Sequence, residues 1–478
     1  MVNDIEKTSG GQISTENVEH IESSADVKRM VDIDDDEEFT YGEQRKIIHR
    51  VDRRLVTITG AAYCISLMDR TNSTMVLVFF VTYIVCQPIA TAMIRKIGPR
   101  IFISVIVMSW GACLIGFAYS PNWQTLTGLR AVLGILEAGF FPGAVYLLSC
   151  WYSRCSSTDP DYYEVQKRYS FFYLIGCFAS ALSGILAYGF SQMAPLESLS
   201  GWQWIFIMQG VLTFIVGILC MIFVVDFPDK GYNTWGFLTQ RECAFILRRL
   251  DRDRSDANPE PFNLVKFLRP ALDLKIWGFA FIFFSITTVT YGIAYFLPII
   301  LRDNMGFNVA EAQCLTAPPY ALAGILMVST SWVADRYRMR APILVFNSVL
   351  ALIGLPIMGF AKSAAVRYFG VFLTTAGANA NIPASMAYQA NNIRGQWTRA
   401  FASATLVAFG GIGGIAGSLV FRSQDAPEYI PGIWAVIACQ LCLLIVVGAL
   451  SLYFWICNRK ADRGEKIIEG SPDFRYTL

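Results

Sequence analysis

The chain has 478 residues, 54% of them hydrophobic and 16% charged, with a mean hydropathy of +0.44. That charged fraction lies well below the roughly 25% of soluble domains, which excludes an ordinary water-soluble protein. The net charge is +2, and the only histidines, His20 and His49, both lie outside the apolar blocks, so histidine catalysis and metal binding have almost no material.

Residues 1–50 are polar, carry the acidic run Asp34, Asp35, Asp36, Glu37 and Glu38, and contain no apolar h-region. They read as a disordered cytosolic tail with no cleavable signal peptide. Twelve apolar blocks follow: Leu55–Met68, Met75–Ile94, Ile101–Ala118, Leu126–Leu148, Ser170–Phe190, Trp204–Val225, Ile276–Ile300, Leu315–Ala334, Pro342–Ala361, Tyr368–Tyr388, Ala400–Phe421 and Ile433–Ile456. Most approach the ~20 residues that cross a ~30 Å hydrocarbon layer as a helix. The twelve cysteines fall mostly inside these blocks, and the C-x-x-C of Cys439 and Cys442 lies mid-block. Small buried helix residues explain them better than redox or metal chemistry.

Lys and Arg set the orientation. With the N-terminus inside, the inner connections hold Arg95, Lys96 and Arg100, then Arg154, Lys167 and Arg168, then Arg336, Arg338 and Arg340, then Arg394 and Arg399. The outer connections 119–125 and 191–203 hold none, two others hold single cations, Arg302 and Arg422, and Lys362 and Arg367 flank the ninth and tenth blocks. Both termini are therefore expected in the cytosol. The connection 226–275 carries Arg241, Arg248, Arg249, Arg252 and Arg254 among acidic residues, and reads as a cytosolic linker with short amphipathic helices. The expected organisation is a tail at 1–50, an N-terminal bundle at 51–225, the linker at 226–275, a C-terminal bundle at 276–457 and a cytosolic tail at 458–478. Basic turns after the second and eighth blocks, Arg95 to Arg100 and Asp335 to Arg340, suggest two parallel six-helix repeats.

A charge near the bilayer centre costs at least about 2.5–3.5 kcal/mol, so such residues mark candidate sites. Asp69, Arg70 and Asn72 follow the first block, and Arg130 and Glu137 lie in the fourth. The spacing of Arg130 and Glu137, nearly two turns, puts them on one helix face. An arginine fork suits a carboxylate substrate, and a carboxyl pulled between desolvation and a nearby arginine suits proton exchange. An internal salt bridge is the alternative reading. Glycines after Arg130 and at Gly410, Gly411, Gly413, Gly414 and Gly417 allow close helix packing. Asn379 and Asn381 are candidate substrate contacts or interhelical hydrogen bonds.

These residues resemble a known family. Asp69-Arg70-Thr71-Asn72, the run from Arg130 through Leu136-Glu137-Ala138-Gly139-Phe140-Phe141-Pro142-Gly143, and Trp151-Tyr152 are similar to the anion:cation symporter family of the major facilitator superfamily. Ile97-Gly98-Pro99-Arg100, Lys167-Arg168 and Gly201-Trp202-Gln203-Trp204-Ile205-Phe206 add to it, over about residues 45 to 460. The likeness is to the fungal allantoate permease branch, with carriers of nicotinate, allantoate and pantothenate. It implies an all-α membrane protein of the major facilitator fold, two six-helix bundles and alternating access. It implies substrate contacts at Arg70 and Arg130, proton coupling at Asp69 and Glu137, and a cytosolic loop motif at Gly98, Arg100, Asp335 and Arg336. No enzyme activity, metal, organic cofactor or nucleic-acid partner is expected; a proton is the coupling ion, and the chain is expected to act as a plasma-membrane monomer.

Three departures stand out. Thr91 and Arg95 replace a glycine and an aspartate of the superfamily's loop motif, and Cys155 to Tyr162 reads as an insertion. The third is larger: residues 55 to 94 must hold two spans, which leaves no turn and falls about twenty residues short. The sequon Asn72-Ser73-Thr74 sits at this junction. Of the two ways to house the short hairpin, placing Asp69 and Arg70 at the outer surface reads as cheaper than a turn inside the membrane. Either is expected to break their alignment with Arg130 and Glu137. A proton-coupled importer of a small carboxylate is the leading reading; a non-transporting form and a transporter-like nutrient sensor stand beside it.

Overall fold

The computed structural model describes residues 41–70, 76–151, 165–193, 199–228, 231, 237–254, 264–303, 305–337, 339–425, 428–469 and 474–478. The sequon and the insertion lie outside the described residues. The first half comprises α1 (Tyr41–Val51), α2 (Thr57–Arg70), α3 (Val76–Ile97), α4 (Pro99–Ala118), α5 (Trp123–Glu137), α6 (Phe140–Trp151), α7 (Val165–Ser191) and α8 (Gly201–Phe223). The connection carries α9 (Gln240–Arg254) and α10 (Leu264–Leu268). The second half comprises α11 (Leu274–Asp303), α12 (Val309–Cys314), α13 (Ala317–Tyr337), α14 (Ala341–Phe360), α15 (Ala364–Asn392), α16 (Gln396–Val420) and α17 (Ile430–Asp462). We call the side that carries the connection, and on which α2 and α7 begin, the linker face.

Among the described residues, nine helices are long and apolar enough to cross a bilayer. The tenth sequence block is not one of them, although α15 runs for 29 residues. Its Thr374, Thr375, Asn379, Asn381, Ser385, Gln389 and Asn392 are all buried, because α11, α13, α14 and α7 pack around it. A helix buried by its neighbours over this stretch can carry this polarity. The pairing repeats between halves: α2 with α7, α3 with α5 and α4 with α8 in the first, α11 with α16, α13 with α15 and α14 with α17 in the second. This is the two-bundle architecture that the matched basic turns suggest. The halves meet along α7 with α13 and α3 with α16.

The basic turn of the first half closes a helix end. Gly98 adopts a φ of 91° and caps α4, and Arg100 Nε donates to the Met221 carbonyl at 2.8 Å. Arg54 donates to the Phe223 and Ile222 carbonyls, so two guanidiniums satisfy the last turn of α8. The disordered stretch expected to reach residue 50 is corrected: residues 41–50 are helical, because Ile47, Ile48 and Val51 form a buried face. α1, a π turn over Asp52–Val56 and α2 form one continuous rod.

The depth of the first hairpin follows from its ring contacts. Tyr63 on α2 stacks on Phe172 at 4.7 Å and meets Tyr173 edge-on at 5.1 Å, which sets α2 and α7 level there. From that level α2 climbs about 10 Å to Arg70, whereas α7 climbs about 27 Å to Ser191. α3 tells the same story. A Cβ on Gly134 would lie 2.5 Å from the Phe79 carbonyl oxygen, so these residues share a level. α3 begins about 5 Å above it and α5 about 17 Å above it. The described ends of α2 and α3 therefore stop about 12–17 Å short of their neighbours. Ring packing, the Ser66–Glu137 hydrogen bond and the Arg168–Asp52 ion pair hold α2 in register with them.

The C-terminal segment is also not a free tail. Asn458 bonds both the amide and the carbonyl of Tyr476, and Asn392 does the same for Thr477. Tyr476 stacks on Phe454 at 4.4 Å, and its hydroxyl donates to Glu469, which also pairs with Lys275. Burial, with the Glu469 carboxylate beside it, pushes the Tyr476 phenol up from its ordinary range. The Arg340 amide donates to the Leu478 carbonyl. Residues 474–478 thus bind α11, α14, α15 and α17 at the linker face.

Two outcomes are expected. Lengthening α2 by about eleven residues and α3 by about eight brings the hairpin level with its neighbours and raises the unfolding temperature in detergent. Asn458→Ala leaves both backbone groups of Tyr476 without their partner, at about 1–3 kcal/mol. Faster amide exchange confined to residues 474–478 is the readout.

Candidate substrate cavity between the two halves

A cavity with room of about 70 Å³ for water-sized molecules lies between the halves. The first half contributes Tyr63, Phe80, Tyr83, Phe141, Tyr173, Cys177 and Ser180; the second contributes Phe283, Thr287, Thr290, Tyr291, Tyr295, Tyr320, Asn379 and Gly410. The rings brace one another across the wall. Tyr63 meets Phe141 at 5.5 Å, Phe80 meets Tyr291 edge-on at 5.4 Å across the halves, and Tyr291 stacks on Tyr295 at 5.9 Å. Such surfaces take planar, partly apolar solutes, with phenol hydroxyls available for polar groups. The hydroxyls of Ser180, Thr287 and Thr290 donate to carbonyls of their own helices, as does the Asn379 amide to Thr375. Their oxygens keep acceptor capacity. No charged side chain lines the cavity among the described residues.

Glu137 stands one layer back, and Arg130 is buried on the same helix face. Arg130, Leu133, Gly134 and Glu137 form the buried face of α5, the period expected from the sequence. The Arg130 guanidinium lies 5.1 Å from the Phe117 ring centre on α4, and Glu137 accepts a hydrogen bond from Ser66 on α2. Ser66 is one turn beyond Tyr63, and Phe141 is one turn beyond Glu137, so this contact adjoins two cavity-lining rings. The side chains of Asp69 and Arg70 are outside the description, but their backbone is not. With Ser66 and Glu137 level, the end of α2 falls in height between Glu137 and Arg130.

Asn379 lines the cavity, whereas Asn381 donates to Ser348 on α14 and ties helices. In the second basic turn Asp335 pairs with Arg340 at 2.9 Å, both 2% exposed at the side chain, while Arg336 is exposed. The aromatic wall was not singled out from sequence. Its signal was the tyrosines at Tyr63, Tyr83, Tyr173, Tyr291 and Tyr320, whose hydroxyls need partners that lipid cannot supply.

The profile of the Major Facilitator Superfamily matches residues 57–418. The chain belongs to the major facilitator superfamily. It is a multi-pass membrane transporter and not an enzyme. It is 28% identical to the MFS transporter prlL of Fungal sp. (strain NRRL 50135), over 90% of this chain and 91% of the relative. It is 27% identical to the high-affinity nicotinic acid transporter of Saccharomyces cerevisiae, covering 89% and 80%. A third relative, the major facilitator-type transporter hxnP of Emericella nidulans, is 26% identical over 91% and 93%. The structure of the human organic anion transporter MFSD10 (TETRAN) superposes with a TM-score of 0.58 at 13% identity, over 83% of this chain and 99% of that one, a likeness of fold.

Proposed function

We propose that this transporter imports a small organic carboxylate, of the nicotinate, allantoate or pantothenate kind, with protons, by alternating access at the plasma membrane. The carrying observation is the ring-lined cavity between the halves, with Glu137 one layer behind its wall and Arg130 buried on the same face of α5. The segments 51–225 and 276–457 are the moving bodies, 226–275 their cytosolic link, and the protein works as a monomer with both ends inside. Arg130 and Arg70 draw the carboxylate, whose planar group matches the arginine fork. Glu137 and Asp69 exchange the proton, since burial and a nearby arginine oppose each other on a carboxyl. Asn379 contacts the substrate from the second half, and Gly98, Arg100, Asp335 and Arg336 shape the cytosolic turns that the halves move about. The relative named for nicotinic acid supports a carboxylate on a ring that the cavity would stack.

A second reading is a carrier impaired by its short hairpin, favoured by the about 12–17 Å deficit. Uptake of labelled nicotinate by this chain and by the lengthened one, at matched surface levels, separates the two. Uptake by both supports transport, uptake by the longer chain alone supports impairment, and uptake by neither removes nicotinate as the substrate.

In a chain that transports, Arg130→Lys is expected to lower uptake at least about tenfold, because lysine lacks the bidentate fork; unchanged affinity and rate would make Arg130 structural. Glu137→Gln is expected to exchange substrate yet lose uncoupler-sensitive accumulation. Uphill accumulation by that variant would leave Asp69 as the coupling carboxylate.

A further inference from the structure

The connection ends in a short amphipathic stretch whose apolar side lies open. α10 and the 3-10 turn Arg269–Leu272 that follows it lead into α11. Phe267 points inward, its ring 5.5 Å from Phe401 and 6.5 Å from Trp397, both near the start of α16. The apolar span of α16 begins at Trp397, so α10 lies level with the point where that span begins. Val265 is about 200° round the helix from Phe267 and falls on the opposite side. Leu272, Leu274 and Val265, at 90%, 82% and 77%, are the three most exposed large apolar side chains among the described residues. Leu268 is exposed beside them, and so are Lys266 and Arg269. The nearby Asp273 is neutralised by Lys275 at 3.2 Å. Trp277, also exposed, donates from its ring nitrogen to the Ala271 carbonyl at 2.8 Å and ties the turn to α11.

We propose that residues 264–274 are an interfacial anchor that lies in the leaflet on the linker face and takes anionic phospholipids. Four large apolar side chains bared within ten residues form a patch that water does not favour, and such a patch marks an interaction surface. The bilayer is the occupant for two reasons. The patch runs on through Trp277 into the membrane span of α11, and Trp is the residue that gathers at the height where acyl chains give way to head groups. The patch also sits level with the first turns of α16, at the edge of the hydrocarbon and not out in solvent. With its leucines in the acyl boundary, Lys266 and Arg269 stand at the height of the phosphates, the arrangement of a helix lying in the interface plane. Their long stems cover apolar surface while their heads draw anionic lipid. Phe267 pins the anchor to α16, so a lipid held here fixes the start of the second half against its leaflet. Nothing in this anchor depends on which solute the protein carries.

The experiment places the full chain in nanodiscs of phosphatidylcholine, alone or mixed with phosphatidylserine. Each lipid in turn carries a diazirine on its head group, and photolabelled peptides are mapped by mass spectrometry. Both lipids are expected to label residues 264–274, phosphatidylserine at least about fivefold more, the gain that one cation near an anionic surface brings. Raised salt should remove that excess. Lys266→Gln with Arg269→Gln is expected to bring phosphatidylserine down to the phosphatidylcholine level. Leu272→Glu with Leu274→Glu should lower labelling by both lipids and speed amide exchange over the same residues. Amide exchange of the buried α15 is the folding control, and if the glutamate pair speeds it, the glutamine pair decides. No labelling of 264–274 by either lipid overturns the anchor. Equal labelling by the two lipids, or an excess that survives the glutamine pair, overturns the anionic preference. Slow exchange without lipid labelling would assign the patch to another part of the chain or to a second copy, and sinks the proposal as well.

Discussion

Tyr63 is the point from which the first half takes its register. Its ring meets Phe141, Phe172 and Tyr173, and one turn away Ser66 donates to Glu137. A carboxyl in hydrocarbon is tolerable only with such a partner, because an isolated buried charge or polar group costs several kcal/mol, roughly. These contacts lock α2 against α7 and α6, and through Glu137 against α5. The part of α2 beyond Tyr63 inherits that lock.

The cavity owes its chemistry to the same arrangement. Rings that align α2 also form its wall, so packing and solute contact share one set of side chains. Charge is held behind this wall. The chamber presents stacking surfaces and acceptor oxygens, and Glu137 is reached from it by the one-turn step from Tyr63 to Ser66.

Much of this was legible in the chain itself. Block lengths gave the spans, and the i, i+3, i+4, i+7 spacing of Arg130, Leu133, Gly134 and Glu137 gave a buried face on α5. The hairpin deficit of about twenty residues was counted from residues 55 to 94 alone. What could not be read was depth, which ring packing between distant segments decides. Asn379 and Asn381 were equivalent as letters, two residues apart on one helix, and only the neighbours of α15 send one to the cavity and the other to Ser348. The docked segment escaped notice because its partners, Asn392, Asn458 and Lys275, are scattered over three helices and carry no local pattern.

That docked segment bears on how the molecule is made. Its seat is assembled from α11, α14, α15 and α17, the last of which ends at Asp462, and the residues that fill it follow in the chain. During synthesis the seat cannot exist until every helix of the second half has been inserted and brought together. Residues 474–478 therefore find their place only on a completed half, and a misassembled one leaves Tyr476 and its neighbours hanging in solution. The docked segment therefore ties helices of the second half together only after the last of them has formed.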